Sequence, residues 1–209
     1  LGAPVFTYHV EGSGPFVPAA TTLIQLSDDP AAAAWSPLGM SIVTSLESGI
    51  AELLAVSAPS RRVAPQPVAR PPRIDPNELT DSYLLQQIAR LRPAGSIIVE
   101  EAPSSRTPMH DYLPIIDADT FYTCASGGLG YGLPAAIGVA LGRPGAKVIA
   151  ILGDGSSMYA IQGLWSAAQA NLPIAFVIVR NGGYEALNEV GVHFAMDELP
   201  GVRLPGLGF

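Results

Sequence analysis

The sequence predicts an α/β fold: a parallel sheet covered by helices on both faces, preceded by a shorter α/β piece. Three observations carry this. The runs S-I-I-V-E, K-V-I-A-I-L and I-A-F-V-I-V lack polar alternation, as strands buried on both faces do. Segments of helical character separate them. A stretch from Ala58 to Pro76 holds six prolines and four arginines without periodicity. Proline favours an extended, semi-rigid backbone, so this stretch reads as a linker. The expected domains are residues 1–57, a linker at 58–76, and residues 77–209.

Before the linker, P-V-F-T-Y and T-L-I-Q-L read as short strands. After the second come D-D-P, a loop and a helix, with Leu46, Ile50, Leu53 and Leu54 on one face and Ser45 as N-cap. Two strands and one helix do not bury a core alone. The first half of this domain is therefore expected upstream. A start at Leu1 and an end in L-P-G-L-G-F, with no closing helix or strand, also fit a piece of a longer protein.

After the linker, Asp75, Pro76 and Glu78 form a helix-start signal of cap, first-turn proline and capping box. Leu84, Ile88 and Leu91 share the face of that helix, and Arg92-Pro93 stops it. S-I-I-V-E is the next strand, and F-Y-T-C-A is a further one. A Gly-rich turn leads into the small-residue helix L-P-A-A-I-G-V-A-L. K-V-I-A-I-L follows as a strand. Ile161, Leu164, Trp165 and Ala168 give the next helix its expected buried face. I-A-F-V-I-V is the last strand.

Composition limits the function classes. The 209 residues are 48% hydrophobic and 14% charged, which suits a packed interior. The net charge of −7 argues against a nucleic-acid surface. Uninterrupted apolar runs reach about six residues, against the ~18 that span a bilayer, so no membrane partner is expected. The lone Cys124 makes no internal disulfide, and a reducing compartment, the cytoplasm, is expected.

The chemistry concentrates at G-D-G-S-S, Gly153 to Ser157, just past one apolar strand, and at N-G-G, Asn181 to Gly183, just past the next. Parallel strands joined by a helical crossover point their C-terminal ends the same way, and ligands bind at that edge. If the strands are neighbours, Asp154 and Asn181 meet across 26 intervening residues. A carboxylate and an amide oxygen suit Mg²⁺ or Ca²⁺, with further ligands from backbone carbonyls, water and phosphate oxygens. Gly153 and Gly155 let the backbone approach a bulky anion. Ser156 and the N–H groups opening the next helix would face it. The pattern suggests a Mg²⁺-bridged diphosphate site.

Other motifs fall away. No G-x-x-x-x-G-K-[S/T] is present, and G-G-L-G-Y-G at 127–132 has Leu133 where G-x-G-x-x-G needs its third glycine. His9, His110 and His193 are too scattered for a zinc signature. A lone G-D-G occurs in ordinary turns, and an isolated histidine or cysteine is more often structural. Glu100 and Glu101 are adjacent on a strand, so they point to opposite faces and do not make an acid/base pair.

With its spacing, G-D-G-S followed by N-G resembles the metal-diphosphate motif of thiamine-diphosphate-dependent decarboxylases and synthases. C-A-S-G-G-L-G-Y-G-L-P-A-A-I-G-V, G-D-G-S-x-x-Y-x-I-x-x-L-W-x-A-A-Q, N-G-x-Y-x-A-L, V-F-T-Y-H and L-P-G-L-G-F resemble the benzoylformate decarboxylases in particular. The resemblance covers nearly the whole chain outside the linker. It implies a partial thiamine-diphosphate-binding fold behind the end of a Rossmann-like middle domain. It also implies that the pyrimidine domain, with the family's activating glutamate, lies outside these residues, leaving the piece inactive alone.

The same resemblance assigns roles. Asp154, Asn181 and the Gly183 carbonyl match the ligands of Mg²⁺ (or Ca²⁺). Ser104, Gly155, Ser156 and Tyr184 match cofactor-binding positions. Leu129 matches the apolar residue that bends the cofactor, and the Gly127 carbonyl would accept from its 4′-amino group. His9 matches a proton-relaying histidine. The intact protein would be a homotetramer releasing CO2 and an aldehyde from a small 2-keto acid. Arg180, Pro103, Thr123 and Val190 depart from the pattern. The last two stand where aryl-lining phenylalanines are expected, which favours a smaller or differently shaped substrate. A carboligase such as an acetohydroxyacid synthase, and a non-catalytic diphosphate-binding module, are the alternatives.

Overall fold

A computed structural model describes residues 17, 19–36, 38–57, 71–74, 77, 79–124, 127–196 and 199–208. The chain forms two compact units, Leu1–Pro67 and Val68–Phe209, dividing within the proline-rich stretch.

In the first unit, β1 (Ile24–Ser27) and β2 (Met40–Val43) pair in parallel, with Ile24 beside Met40 and Ser27 beside Val43. The crossover between them contains α1 (Pro30–Ala34), and α2 (Leu46–Ala55) follows β2. D-D-P is thus a helix start instead of the lead into a loop. Asp29 caps it by accepting from the Ala31 amide at 2.8 Å, and Pro30 occupies the first turn. Neither α1 nor β2 was expected, because four or five residues are too short to display a period. Ser45 caps α2 as expected, accepting from the Ser48 amide. The buried face of α2 differs. It centres on Gly49, where a Cβ would stand 2.5 Å from Leu26 Cδ2, while Ile50, Leu53 and Leu54 are exposed. The expected strand P-V-F-T-Y lies outside the described residues.

The second unit is a parallel sheet of β3 (Ile97–Glu101), β4 (Phe121–Thr123), β5 (Val148–Gly153) and β6 (Ile174–Val179), in the order β4-β3-β5-β6. Helices α3 (Asp81–Leu91) and α4 (Arg106–Tyr112) cover one face. Leu85, Met109 and Leu113 there pack on Ile98 and Ile151. Helix α5 (Gly132–Gly142) covers the other, placing Leu133, Ala136 and Ala140 on Val99, Ala150 and Leu152. Each fully buried Leu or Ile contributes about 1.5–3 kcal/mol through water release.

Two helices differ from expectation. Helix α3 starts at Asp81, capped by the Thr80 hydroxyl, which accepts from the Tyr83 amide. Asp75, Pro76 and Glu78 lie outside the described residues. Its buried position is Leu85, while Leu91 is exposed. Helix α7 (Gly163–Gln169) starts two residues later than Ile161, and it buries Ala167 while Leu164, Trp165 and Ala168 are exposed. Gly163 explains the rotation. A Cβ there would run into Leu133 Cδ2 and lie 3.2 Å from Ile137. The small pair Gly163 and Ala167, one turn apart, faces inward and lets α7 lie close on α5. The large residues are turned outward.

Candidate functional site

The C-terminal ends of β5 and β6 lie side by side, with Gly153 beside Val179. Beyond them, Asp154–Ser157 forms α6 and Asn181–Gly183 forms a loop. The site residues expected from the sequence come together here. Ser104, Gly127, Leu129, Asp154, Gly155, Ser156, Asn181, Gly183 and Tyr184 all line one cavity of about 220 Å³. His9 lies outside the described residues. Thr123 and Val190 do not line the cavity.

Asp154 is 1% exposed. One carboxylate oxygen accepts from the Gly155 amide at 2.8 Å, the other from the Gly182 amide at 2.7 Å. The carboxylate therefore joins the turn after β5 to the loop after β6. The Asn181 amide nitrogen donates to Ser104 Oγ at 3.1 Å, and its oxygen accepts from the Gly183 amide. Ser104 lies on the 3₁₀ turn Pro103–Ser105 that follows β3, so three neighbouring strand ends build this rim.

Residues 202–204 brace the loop from outside, a role the sequence did not signal. The Leu204 amide donates to Gly182 O at 2.9 Å, and the Tyr184 amide donates to Val202 O at 2.8 Å. Gly183 and Arg203 face each other between these bonds. Alternation along an extended edge turns the Gly183 carbonyl away from the brace. A Cβ on Gly183 would strike the Val202 carbonyl, so the loop needs glycine there. Among the described residues no cluster of three His, Cys, Asp or Glu side chains exists. The hard-oxygen set available is one carboxylate, one amide oxygen and one carbonyl, which suits Mg²⁺ or Ca²⁺ completed by ligand phosphate and water.

D-G-S-S itself forms a single helical turn, and the helix expected after it starts only at Gly163. Both serine hydroxyls bond backward: Ser156 donates to Glu101 O at 2.7 Å, with Gly153 O at 3.1 Å, and Ser157 donates to Asp154 O at 2.8 Å. Such bonds compete with helix continuation. They also commit the Ser156 hydroxyl proton to backbone carbonyls at the ends of β3 and β5.

The Gly-rich turn lines the same cavity through Gly127 and Leu129. Gly130 has φ +94°, and a Cβ there would stand 3.0 Å from Tyr159 Cβ. The carboxylate of Glu101, 3% exposed, accepts from the Gly130 and Gly132 amides. Glu100 points to the other face, as expected for its neighbour on a strand. Its carboxylate accepts from the Ala102 amide at 2.8 Å, the Thr123 hydroxyl at 2.6 Å and Arg106 Nε at 3.3 Å. Tyr159 is more than half exposed and reaches Tyr184. That hydrogen bond holds the Tyr184 phenol above its ordinary pKa, with burial and the Asp154 charge adding to it.

Residues 104–198 match the family described as "Thiamine pyrophosphate enzyme, C-terminal TPP binding domain". The chain is 37% identical over its whole length to a benzoylformate decarboxylase of Pseudomonas aeruginosa, spanning 40% of that protein. Among solved structures, it superposes on a 4-hydroxybenzoylformate decarboxylase of Rhodococcus jostii RHA1 with TM-score 0.84 and 34% identity. That match covers 99% of this chain and 40% of the other. It superposes on the benzoylformate decarboxylase of Polynucleobacter necessarius with TM-score 0.86 and 34% identity, covering 100% of this chain and 40% of the other. Among the described residues no helix is long and apolar enough to cross a membrane. The chain spans about 40% of the length of these relatives, and with its matched domain and parallel sheet it belongs to the thiamine-diphosphate-dependent enzymes.

Proposed function

We propose that residues 79–208 hold the diphosphate end of thiamine diphosphate through Mg²⁺, as part of a non-oxidative 2-keto-acid decarboxylase. One observation carries this reading: Asp154, Asn181 and Gly183 meet at adjacent strand ends on one cavity. Asp154, Asn181 Oδ1 and the Gly183 carbonyl would hold the metal, while Gly155, without a side chain, lets the backbone approach the phosphates and the Ser156 amide would hold a phosphate oxygen. Leu129 would press on the cofactor from the Gly-rich turn, with the Gly127 carbonyl beside it. When bound, the cofactor supplies the carbanion chemistry that lets a 2-keto acid lose CO2. The chain's own residues bind, orient and shield it; His9 would serve proton transfer to the product.

The substrate is a small 2-keto acid, and the product an aldehyde. Thr123 and Val190, standing where the resemblance expects aryl-lining phenylalanines, favour a smaller or differently shaped 2-keto acid. Exposed apolar side chains such as Trp165 and Val192 support assembly into a homo-oligomer, a tetramer as the family resemblance implies. A cytoplasmic setting follows from the single cysteine. The chain alone is expected to bind the cofactor weakly and to be inactive.

The test joins this chain to the remaining length of its relatives and measures CO2 release from a panel of 2-keto acids. Release that needs both Mg²⁺ and thiamine diphosphate supports the reading. Product from carbon–carbon bond formation, without free aldehyde, would favour the carboligase alternative. Binding without any turnover would favour the non-catalytic one.

A further inference from the structure

Glu101 is a buried carboxylate that the ligand set above does not use. It sits at the end of β3, beside Leu152 in the register, on the face that α5 covers. A carboxylate buried without partners is strongly unfavourable, so its partners define what it is for. Both oxygens are taken by backbone donors of the Gly-rich turn, the amides of Gly130 and Gly132. Its own carbonyl accepts from the Ser156 hydroxyl at 2.7 Å. One residue therefore ties together the turn that carries Leu129 and the turn that carries Asp154 to Ser156. Both turns line the cavity.

The fit around this link is close. A Cβ on Gly132 would stand 2.6 Å from Glu101 Cβ and 2.9 Å from its carboxylate. The turn is thus pressed on the side chain as well as bonded to it. A carboxylate accepts at both oxygens, which two converging N–H groups require. Glutamine of the same shape would offer one oxygen and set its NH2 against the other amide.

Resting on the diphosphate reading of the site, we infer that Glu101 is a positioning residue. It fixes the height of the Leu129 turn above the diphosphate floor, and so selects thiamine diphosphate over bare pyrophosphate. Pyrophosphate with Mg²⁺ uses the floor alone. Thiamine diphosphate with Mg²⁺ uses the floor and the Leu129 rim.

The test is nuclear magnetic resonance on the ¹⁵N,¹³C-labelled 209-residue chain. In the wild type, couplings through the hydrogen bonds should connect the Gly130 and Gly132 amides to the Glu101 carboxyl carbon. In Glu101→Gln, exchange of these two amides should speed up by about tenfold or more, as loss of a charge-assisted bond predicts. The affinity for Mg²⁺ with thiamine diphosphate should fall about tenfold, and that for Mg²⁺ with pyrophosphate by less than about twofold. A role in folding alone would weaken both ligands alike, and that result overturns the inference. So does a wild type without the couplings, a measurement that no misfolded variant can obscure. Leu129→Ala should keep the couplings but lose the preference for thiamine diphosphate; a retained preference also counts against the inference. A wild type that binds neither probe overturns the diphosphate reading instead, while the couplings still decide whether Glu101 holds the turn.

Discussion

The Gly182 amide donates to Asp154 Oδ2 at 2.7 Å, so the loop after β6 hangs on a carboxylate that follows β5. Asp154 is buried and its other oxygen is also bonded, to the Gly155 amide. Replacing it with alanine leaves two amide donors facing a void. The expected loss of folding stability is about 1–3 kcal/mol, read as a lowered Tm. Metal-dependent binding of pyrophosphate should disappear as well. An Asp154→Ala chain with wild-type Tm and wild-type ligand binding would show that the carboxylate joins nothing of consequence.

Gly183 faces Arg203, and a Cβ on it would strike the Val202 carbonyl. Gly183→Ala must therefore push the 202–204 brace away. Overpacking of this kind costs about 1–3 kcal/mol. Amide exchange at Tyr184 and Leu204, whose hydrogens bridge to Val202 O and Gly182 O, should accelerate. Unchanged exchange at both amides would mean the brace does not hold the loop.

The inward face of α7 is set by Gly163 and Ala167, with Trp165 69% exposed. Trp165→Ala should change the stability of the isolated chain by under about 0.5 kcal/mol, as for most surface changes. Gly163→Ala should lower it by about 1–3 kcal/mol through the clash with Leu133. Denaturant melts of the two variants compare the faces directly, and the reverse ranking would put the helix the other way round.

The Tyr184 phenol is raised above its ordinary pKa, first by its hydrogen bond with Tyr159, then by burial and the nearby Asp154 charge. The neutral phenol is the form the fold favours. Its contribution to stability is present below the unfolded value near 10 and is lost as pH rises through the higher folded value. Tyr159→Phe should return the Tyr184 titration toward the ordinary value. Carbon-13 labelling of the tyrosine rings follows it, and an unmoved titration would remove Tyr159 as the main cause.

The legible parts of this molecule were those that repeat a chemical pattern. Lack of alternation marked β3 and β5 as buried, while β6, read the same way, is the end strand of the described sheet and only partly buried. The residues just past β5 and β6 marked the ligand edge. Asp154 and Asn181 could be brought together from strand adjacency alone. The hidden parts depended on who faces whom. Trp165 looked like core from helical spacing, but Gly163 decided the rotation of α7. Glu101 was discounted as half of an acid pair, and its partners are backbone amides 29 and 31 residues away, which leave no side-chain signature. The brace at 202–204 acts through main-chain bonds and was equally invisible. Short α1 and β2 were missed because four or five residues carry no readable period.

The central claim is that Asp154, Asn181 and Gly183 make a metal-bridged diphosphate site. It is tested most directly by titrating Mg²⁺ and thiamine diphosphate, separately and together, into the ¹⁵N-labelled chain while watching its backbone amides. The predicted result is weak binding that shifts the Gly155, Ser156, Asn181 and Gly183 amides only when both are present, and that is absent in Asp154→Ala. Shifts that ignore Mg²⁺, shifts that lie elsewhere, or shifts that persist without Asp154 would contradict the claim.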